Sequence, residues 1–203
     1  VAALVSCGGS SDSDPSALTV FAASSLTGAM PEIMDAFISE YPGSKVKVQF
    51  GSSSDLAIQI IEGAPFDVFA SADVTNMLRV EEAGRVNVNS TMFASNTFAI
   101  IVEKGNPLDI KSIADLAEPD VVVVQCATTA PCGQGALTVF KNAGISLTPK
   151  SFEENVKSVV TKVSSGEADA GIVYVTDVIA AEQQTDEIAI EAGFNTTTDY
   201  YVA

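Results

Sequence analysis

Two short segments of the chain share one design. Phe21-Ala22-Ala23-Ser24-Ser25-Leu26 and Phe50-Gly51-Ser52-Ser53-Ser54-Asp55 each read as a strand, a serine cluster and the start of a helix. In α/β folds, ligands sit beyond the carboxyl ends of the strands. Helix N-termini at that place offer unpaired N–H groups and a partial positive charge, which suits an anion. Serine adds a hydroxyl donor. Ordinary N-capping accounts for one such cluster taken alone; two in equivalent places point towards a ligand. Pro131-Cys132-Gly133-Gln134-Gly135 repeats the theme as a glycine-containing turn between a strand and a helix, without the Lys and Ser/Thr of a P-loop. Asp55 is the carboxylate that accompanies these clusters. Three residues past Ser52, it is assigned to the helix N-terminus rather than to a ligand.

Composition removes much other chemistry. The 203 residues include no histidine, so Ser-His-Asp and Cys-His catalysis and all His-containing metal sites are excluded. A His-free serine hydrolase using Ser25 or Ser53 is the weaker alternative, since neither a G-x-S-x-G elbow nor an S-x-x-K motif supports it. Acids number 26 and bases 10, for a net charge of −16. The bases are scattered, so there is no stripe to neutralise a phosphate backbone, and no nucleic-acid partner is expected. With 47% hydrophobic and 18% charged residues, the chain has the material for a buried core and lacks the signature of disorder.

The elements that must hold the clusters alternate β and α. Strands are expected at Leu18–Ala22, at Lys45–Phe50 on a sheet edge, at Phe66–Ala70, at Thr97–Val102, at Val121–Val124 as a central strand, and at Gly171–Tyr174. Apolar spacing predicts an amphipathic helix from Leu26 to Tyr41, kinked or restarted at Pro31, with its apolar face on a sheet. Further helices are expected after Ser54, at Val74–Glu82, Ser112–Leu116, Gly135–Asn142 and Glu153–Ser164, and from Tyr174 to about Glu182. The fold class is α/β in two lobes joined by a hinge, each a mostly parallel sheet flanked by helices. Lobe one takes residues 17–94, with 195–203 returning to it, and lobe two takes 95–194. Tyr200-Tyr201-Val202-Ala203 reads as an apolar strand just begun, which predicts that the C-terminal part of lobe one is missing.

Residues 1–16 have a different character. Leu4-Val5-Ser6-Cys7 looks like the lipobox at the tail of a bacterial lipoprotein signal peptide, followed by a small, polar tether. On this reading Cys7 carries lipid, and the domain is extracytoplasmic and anchored to the cell membrane. No other stretch approaches the ~20 apolar residues of a membrane span. In an oxidising compartment the close pair Cys126 and Cys132 favours a structural disulfide over a redox-active one, since the spacing is not C-x-x-C.

Five segments in order carry a resemblance: Val20-Phe21-Ala22-Ala23-Ser24-Ser25-Leu26-Thr27, Phe50 to Leu56, Pro65 to Asp73, Pro131-Cys132-Gly133, and Gly171-Ile172-Val173-Tyr174. Together they resemble the molybdate-binding proteins of bacterial ABC importers, which are periplasmic-type solute receptors of the two-lobed (type II, Venus-flytrap) architecture. The resemblance spans nearly everything from Leu18 to Tyr201. It implies a binding protein and not an enzyme, with molybdate or tungstate as ligand, no cofactor and no residue bonded directly to the metal. It further implies a monomer whose partners are the permease and ATPase subunits of an importer. It assigns hydroxyl and backbone donors to Ser25 and Ser53, backbone N–H donors to Cys132 and to Val156 at a helix start, and a phenol donor to Tyr174. Cys132 stands where the family usually has Ala, a departure that leaves a backbone donor intact. The same fold tuned to sulfate or phosphate is the remaining alternative. A donor-only pocket suits an oxyanion that carries no proton, whereas protonated phosphate asks for an acceptor.

Overall fold

The computed structural model describes residues 17–87 and 89–203; the lipobox and Cys7 lie outside the described residues. The first sheet is built on β1 (Ala17–Ala23), which pairs in parallel with β2 (Lys45–Gly51) on one side and β3 (Val68–Ser71) on the other. In β2 the exposed Lys45 and Lys47 alternate with half-buried Val46 and Val48, as befits a sheet edge. Helices α1 (Met30–Glu40), α2 (Ser53–Ile61) and α3 (Val74–Glu82) follow these three strands in turn. α3 shows why its boundaries were legible. The Asp73 side chain caps it by accepting from the Asn76 N–H at 2.8 Å, and Gly84 ends the segment in the left-handed region at φ +66°.

The second sheet contains β5 (Val123–Cys126), parallel to β6 (Ser151–Glu153) and to β7 (Ala170–Tyr174). Its helices are α4 (Pro131–Ala143), α5 (Val156–Ser164) and α6 (Val175–Ala180). β4 (Thr91–Glu103), a strand of 13 residues, joins the two. Its first half pairs antiparallel with β9 (Thr197–Val202), and its second half with β7 and with β8 (Thr185–Ala189). The strand order is β2-β1-β3-β9-β4-β7-β5-β6, with β8 also on β4. The apolar core divides along the same line. One cluster gathers Phe98 to Val102 with β5, β7, α4 and α5, while two smaller clusters lie on either side of β1 and β3. Gly135 lets α4 seat directly on β4, because a Cβ there would stand 1.9 Å from the Phe98 ring.

Several expectations need correction. β4 starts at Thr91 rather than Thr97, and β5 is Val123–Cys126 rather than Val121–Val124. α4 starts at Pro131, so Cys132 and Gly133 are first-turn helical residues and not part of a preceding turn. Glu153 ends a strand; the helix begins at Val156, capped by Asn155, whose side chain accepts from the Ser158 N–H at 3.2 Å. Glu182 lies beyond α6, which ends at Ala180. The last strand begins at Thr197 rather than at Tyr200, and it pairs on both sides. At Pro31 the restart is what occurs: a 3₁₀ turn at Ser24–Leu26 precedes α1, and Pro31 sits in the first turn of α1, where its missing N–H costs nothing. The apolar face of α1 is less covered than its spacing predicted. Met30 is buried, but Ile33 is 51% exposed, and with Met34 and Phe37 it borders an apolar groove of about 350 Å³.

Candidate functional site

Six strand ends converge between the two sheets. The carboxyl ends of β1, β2, β3, β5, β6 and β7 lead into the Ser24–Leu26 turn, α2, α3, α4, α5 and α6 respectively. A cavity of about 10 Å³, close to one water-sized volume, lies where they meet. Ser25, Ser53, Cys132, Val156 and Tyr174 all line it, together with Ala72 and Asn155. Every oxyanion-binding residue expected from the sequence therefore reaches one place, although each comes from a different strand-to-helix junction. Asp55 does not. It is exposed and borders a neighbouring cleft of about 630 Å³ with Asp73 and Arg79.

The chemistry of the lining is one-sided. First-turn N–H groups of α2, α4 and α5 have no acceptor within their own helices, and the positive ends of three helix dipoles meet here. The two serines are held from behind. Ser53 Oγ accepts the Ala72 N–H at 2.9 Å, and Ser25 Oγ accepts the Tyr200 hydroxyl at 2.9 Å. A hydroxyl that already accepts keeps its own proton to donate. Tyr174 is 2% exposed, and its hydroxyl has no hydrogen-bond partner among the described residues. Burial, with Tyr200, Asp177 and Asp73 adding to it, holds that phenol well above its ordinary range, so it remains a protonated donor. No Asp, Glu, Lys or Arg among the described residues lines the cavity. Charge is nevertheless close by in sequence. Lys157, next to Val156, places Nζ 2.9 Å from Asp177 Oδ1 in the first turn of α6, with side chains 31% and 0% exposed.

Cys126 and Cys132 are bonded, with Cα atoms 5.8 Å apart, and pull the intervening loop against the start of α4. The fit is close enough that a Cβ on Gly133 would stand 2.0 Å from the Ala127 carbonyl oxygen. Replacing both cysteines by serine should cost about 2 kcal/mol of stability through the freed loop. Ligand affinity should change far less, because the donor expected at Cys132 is a backbone N–H. A thermal melt and a titration of the same double variant check both halves.

Tyr200 escaped the sequence reading, which took it only as part of an apolar strand. The available signal was a tyrosine in a buried strand, whose hydroxyl requires a partner. Ala72, the donor behind Ser53, was missed for lack of any side-chain chemistry.

The family model for bacterial extracellular solute-binding proteins matches residues 18–203. The chain belongs to this family. The molybdate-binding protein ModA of Mycobacterium tuberculosis is 42% identical to this solute-binding protein over 188 residues, covering 89% of this chain and 72% of that protein. ModA of Escherichia coli is 33% identical over 184 residues, covering 86% and 71%. The solved periplasmic molybdate-binding protein of Azotobacter vinelandii superposes with a TM-score of 0.74 over 92% of this chain and 84% of that one, at 19% identity, which speaks to the two-lobed fold alone. Membership makes this an extracytoplasmic receptor and not an enzyme, and sets the serine-hydrolase alternative aside. Among the described residues no helix is long and apolar enough to cross a membrane, and no cluster of His, Cys, Asp and Glu could hold a metal ion.

Proposed function

We propose that this solute-binding protein captures molybdate, and tungstate with it, and delivers the ion to the permease and ATPase of an ABC importer. The observation that carries this reading is the donor-rich cavity: two oriented serine hydroxyls, an unpartnered buried phenol and three helix N-termini, with no charged side chain on its wall among the described residues. Molybdate is a dianion without a proton near neutral pH, so it can accept from every one of these groups and has nothing to donate. Ser25, Ser53 and Tyr174 would give hydroxyl hydrogen bonds, and Cys132 and Val156 backbone ones. The identity to the ModA proteins supports molybdate as the solute.

In this reading residues 17–94 with 195–203 form one lobe and residues 95–194 the other. The lobes hinge where β4 and β9 run between the two cores, and closure brings the donors of both onto one ion. Lipid on Cys7 would hold the receptor beside its permease as a monomer. Calorimetric titration with molybdate, tungstate, sulfate and phosphate tests the ligand. Tight one-to-one uptake of molybdate and tungstate with little response to phosphate is expected. Sulfate, also unprotonated, meets the same donors, so a preference for it would move the assignment to a sulfate receptor. Phosphate bound as tightly as molybdate, or no uptake of any oxyanion, would overturn the reading.

A further inference from the structure

We infer that Tyr200 is a positioning residue of the oxyanion cavity: its hydroxyl biases Ser25 towards donating, and so favours an unprotonated oxyanion over a protonated one. The inference rests on the function proposed above and concerns a residue that does not itself line the cavity.

A serine hydroxyl has one proton and two lone pairs, and it rotates to suit its neighbours. Left free, Ser25 could turn a lone pair towards a protonated ligand as readily as it turns its proton towards a bare one. Tyr200 biases that choice. Its Oη donates to Ser25 Oγ at 2.9 Å and occupies one of the two lone pairs, which favours the remaining proton as what Ser25 offers the ligand. Burial pushes the Tyr200 phenol up to about 12, against the opposing hydrogen bonds of Ser25 and Asn96, so it stays a donor at any pH where the receptor works.

The ring itself is held firmly. Phe93 packs edge-on to Tyr200 at 6.1 Å, and Tyr174 meets it edge-on at 6.1 Å as well. The backbone beneath is also shaped for the purpose. β4 and β9 pair Met92 with Tyr201 and Ala94 with Tyr200, leaving Phe93 as the extra residue of a bulge. Bulges of this kind re-aim side chains beside functional sites. Here the bulge places Phe93 beside the tyrosine that reaches across to Ser25. The contact joins the last strand of the chain to its first strand-to-helix turn, a separation of 175 residues.

The test compares wild type, Tyr200→Phe, Ser25→Ala and the double variant by titration with molybdate and with inorganic phosphate. Tyr200→Phe keeps the ring between Phe93 and Tyr174. It should weaken molybdate roughly 5- to 10-fold, the worth of one ordinary hydrogen bond, while weakening phosphate less, so the molybdate-to-phosphate ratio narrows. In the Ser25→Ala background the same change should cost almost nothing further, because its target hydroxyl is gone. A merely structural role would lower affinity for both anions alike and would add to the Ser25→Ala loss; either pattern overturns the inference. If Tyr200→Phe fails to melt cooperatively without ligand, Phe93→Ala, which keeps the phenol but frees one side of its ring, takes its place and should narrow the ratio in the same direction. An unchanged ratio in that variant counts against the inference. Wild-type protein that binds no oxyanion overturns the functional reading and this inference together, whereas wild-type binding with an unchanged Tyr200→Phe ratio overturns the inference alone.

Discussion

Lys157→Met should strip the receptor of about 3–5 kcal/mol of stability, the usual cost of removing one partner from a buried ion pair. That is a large share of the roughly 5–15 kcal/mol a domain normally holds. The Asp177 side chain is fully buried, and Lys157 Nζ at 2.9 Å is its counter-charge. Methionine matches the length of the lysine stem but leaves the carboxylate in a low-dielectric site with nothing to balance it. The pair also ties the first turn of α5, which presents Val156, to the first turn of α6, which follows Tyr174. Some loss of oxyanion affinity should therefore accompany the loss of stability. Removing both charges together, as Lys157→Met with Asp177→Leu, should restore most of the stability, since a buried pair is seldom better than a well-packed apolar one.

The pH dependence of this variant has a definite sign. Burial already holds Asp177 above its ordinary range, outweighing the attraction of Lys157. A group whose folded pKa is raised binds its proton more tightly in the native state. Its destabilising effect is absent below the unfolded value, grows as pH rises through the window between the two, and is complete above the folded value. Deleting Lys157 raises the folded value further and stretches that window upwards. The variant should thus lie closer to wild type at pH 5 than at pH 8 in urea midpoints. Equal losses at both pH values, or a loss below about 1 kcal/mol at pH 8, well short of the usual cost of breaking such a pair, would show that Asp177 is not a buried charge dependent on Lys157.

What the sequence disclosed about the site follows from where its information sits. The two serine clusters were legible because strand, serine and helix start are contiguous, and because strand ends in α/β folds meet at one edge whatever the details of the sheet; Ser25 and Ser53 within them were picked out by the resemblance. Pro131-Cys132-Gly133 was legible as a donor loop but misread as a turn. Two glycines within a short stretch argue against a helix on propensity alone. Tertiary packing overrides this, since Gly133 and Gly135 are where the disulfide loop and the Phe98 ring press against α4. β8 carries Asp186 and Glu187 and so lacked the composition of a strand. It exists because β4 offers it a ladder and Lys104 meets Asp186 at 2.7 Å. Tyr200 and the Lys157–Asp177 pair stayed hidden for a related reason: each depends on a partner from another element, and no local pattern encodes that pairing.

Ser53→Ala should be the most damaging single change inside the cavity, because this hydroxyl holds Ala72 and, in the function proposed above, also donates to the ligand. Ser53 is 1% exposed, and its Oγ accepts the Ala72 N–H at 2.9 Å. Alanine leaves that N–H without its acceptor, a loss of about 1–3 kcal/mol that appears in the melt of the protein alone. In the proposed function it also removes a donor to a dianion. Hydrogen bonds to charged groups contribute about 1.5–3 kcal/mol, or a roughly 10- to 150-fold rise in Kd for molybdate. The neighbouring serine separates this from a general disturbance of the α2 start. Ser54 Oγ lies 2.7 Å from Ser52 Oγ, and Ser54 borders the larger cleft rather than the cavity. Ser54→Ala should therefore lower affinity much less, even if it lowers the melting temperature. Equal molybdate affinities for Ser53→Ala and wild type would take Ser53 out of the binding site and leave it only the task of holding Ala72. Equal losses for Ser53→Ala and Ser54→Ala would mean that the position of the helix start, and not the hydroxyl donor, carries the binding.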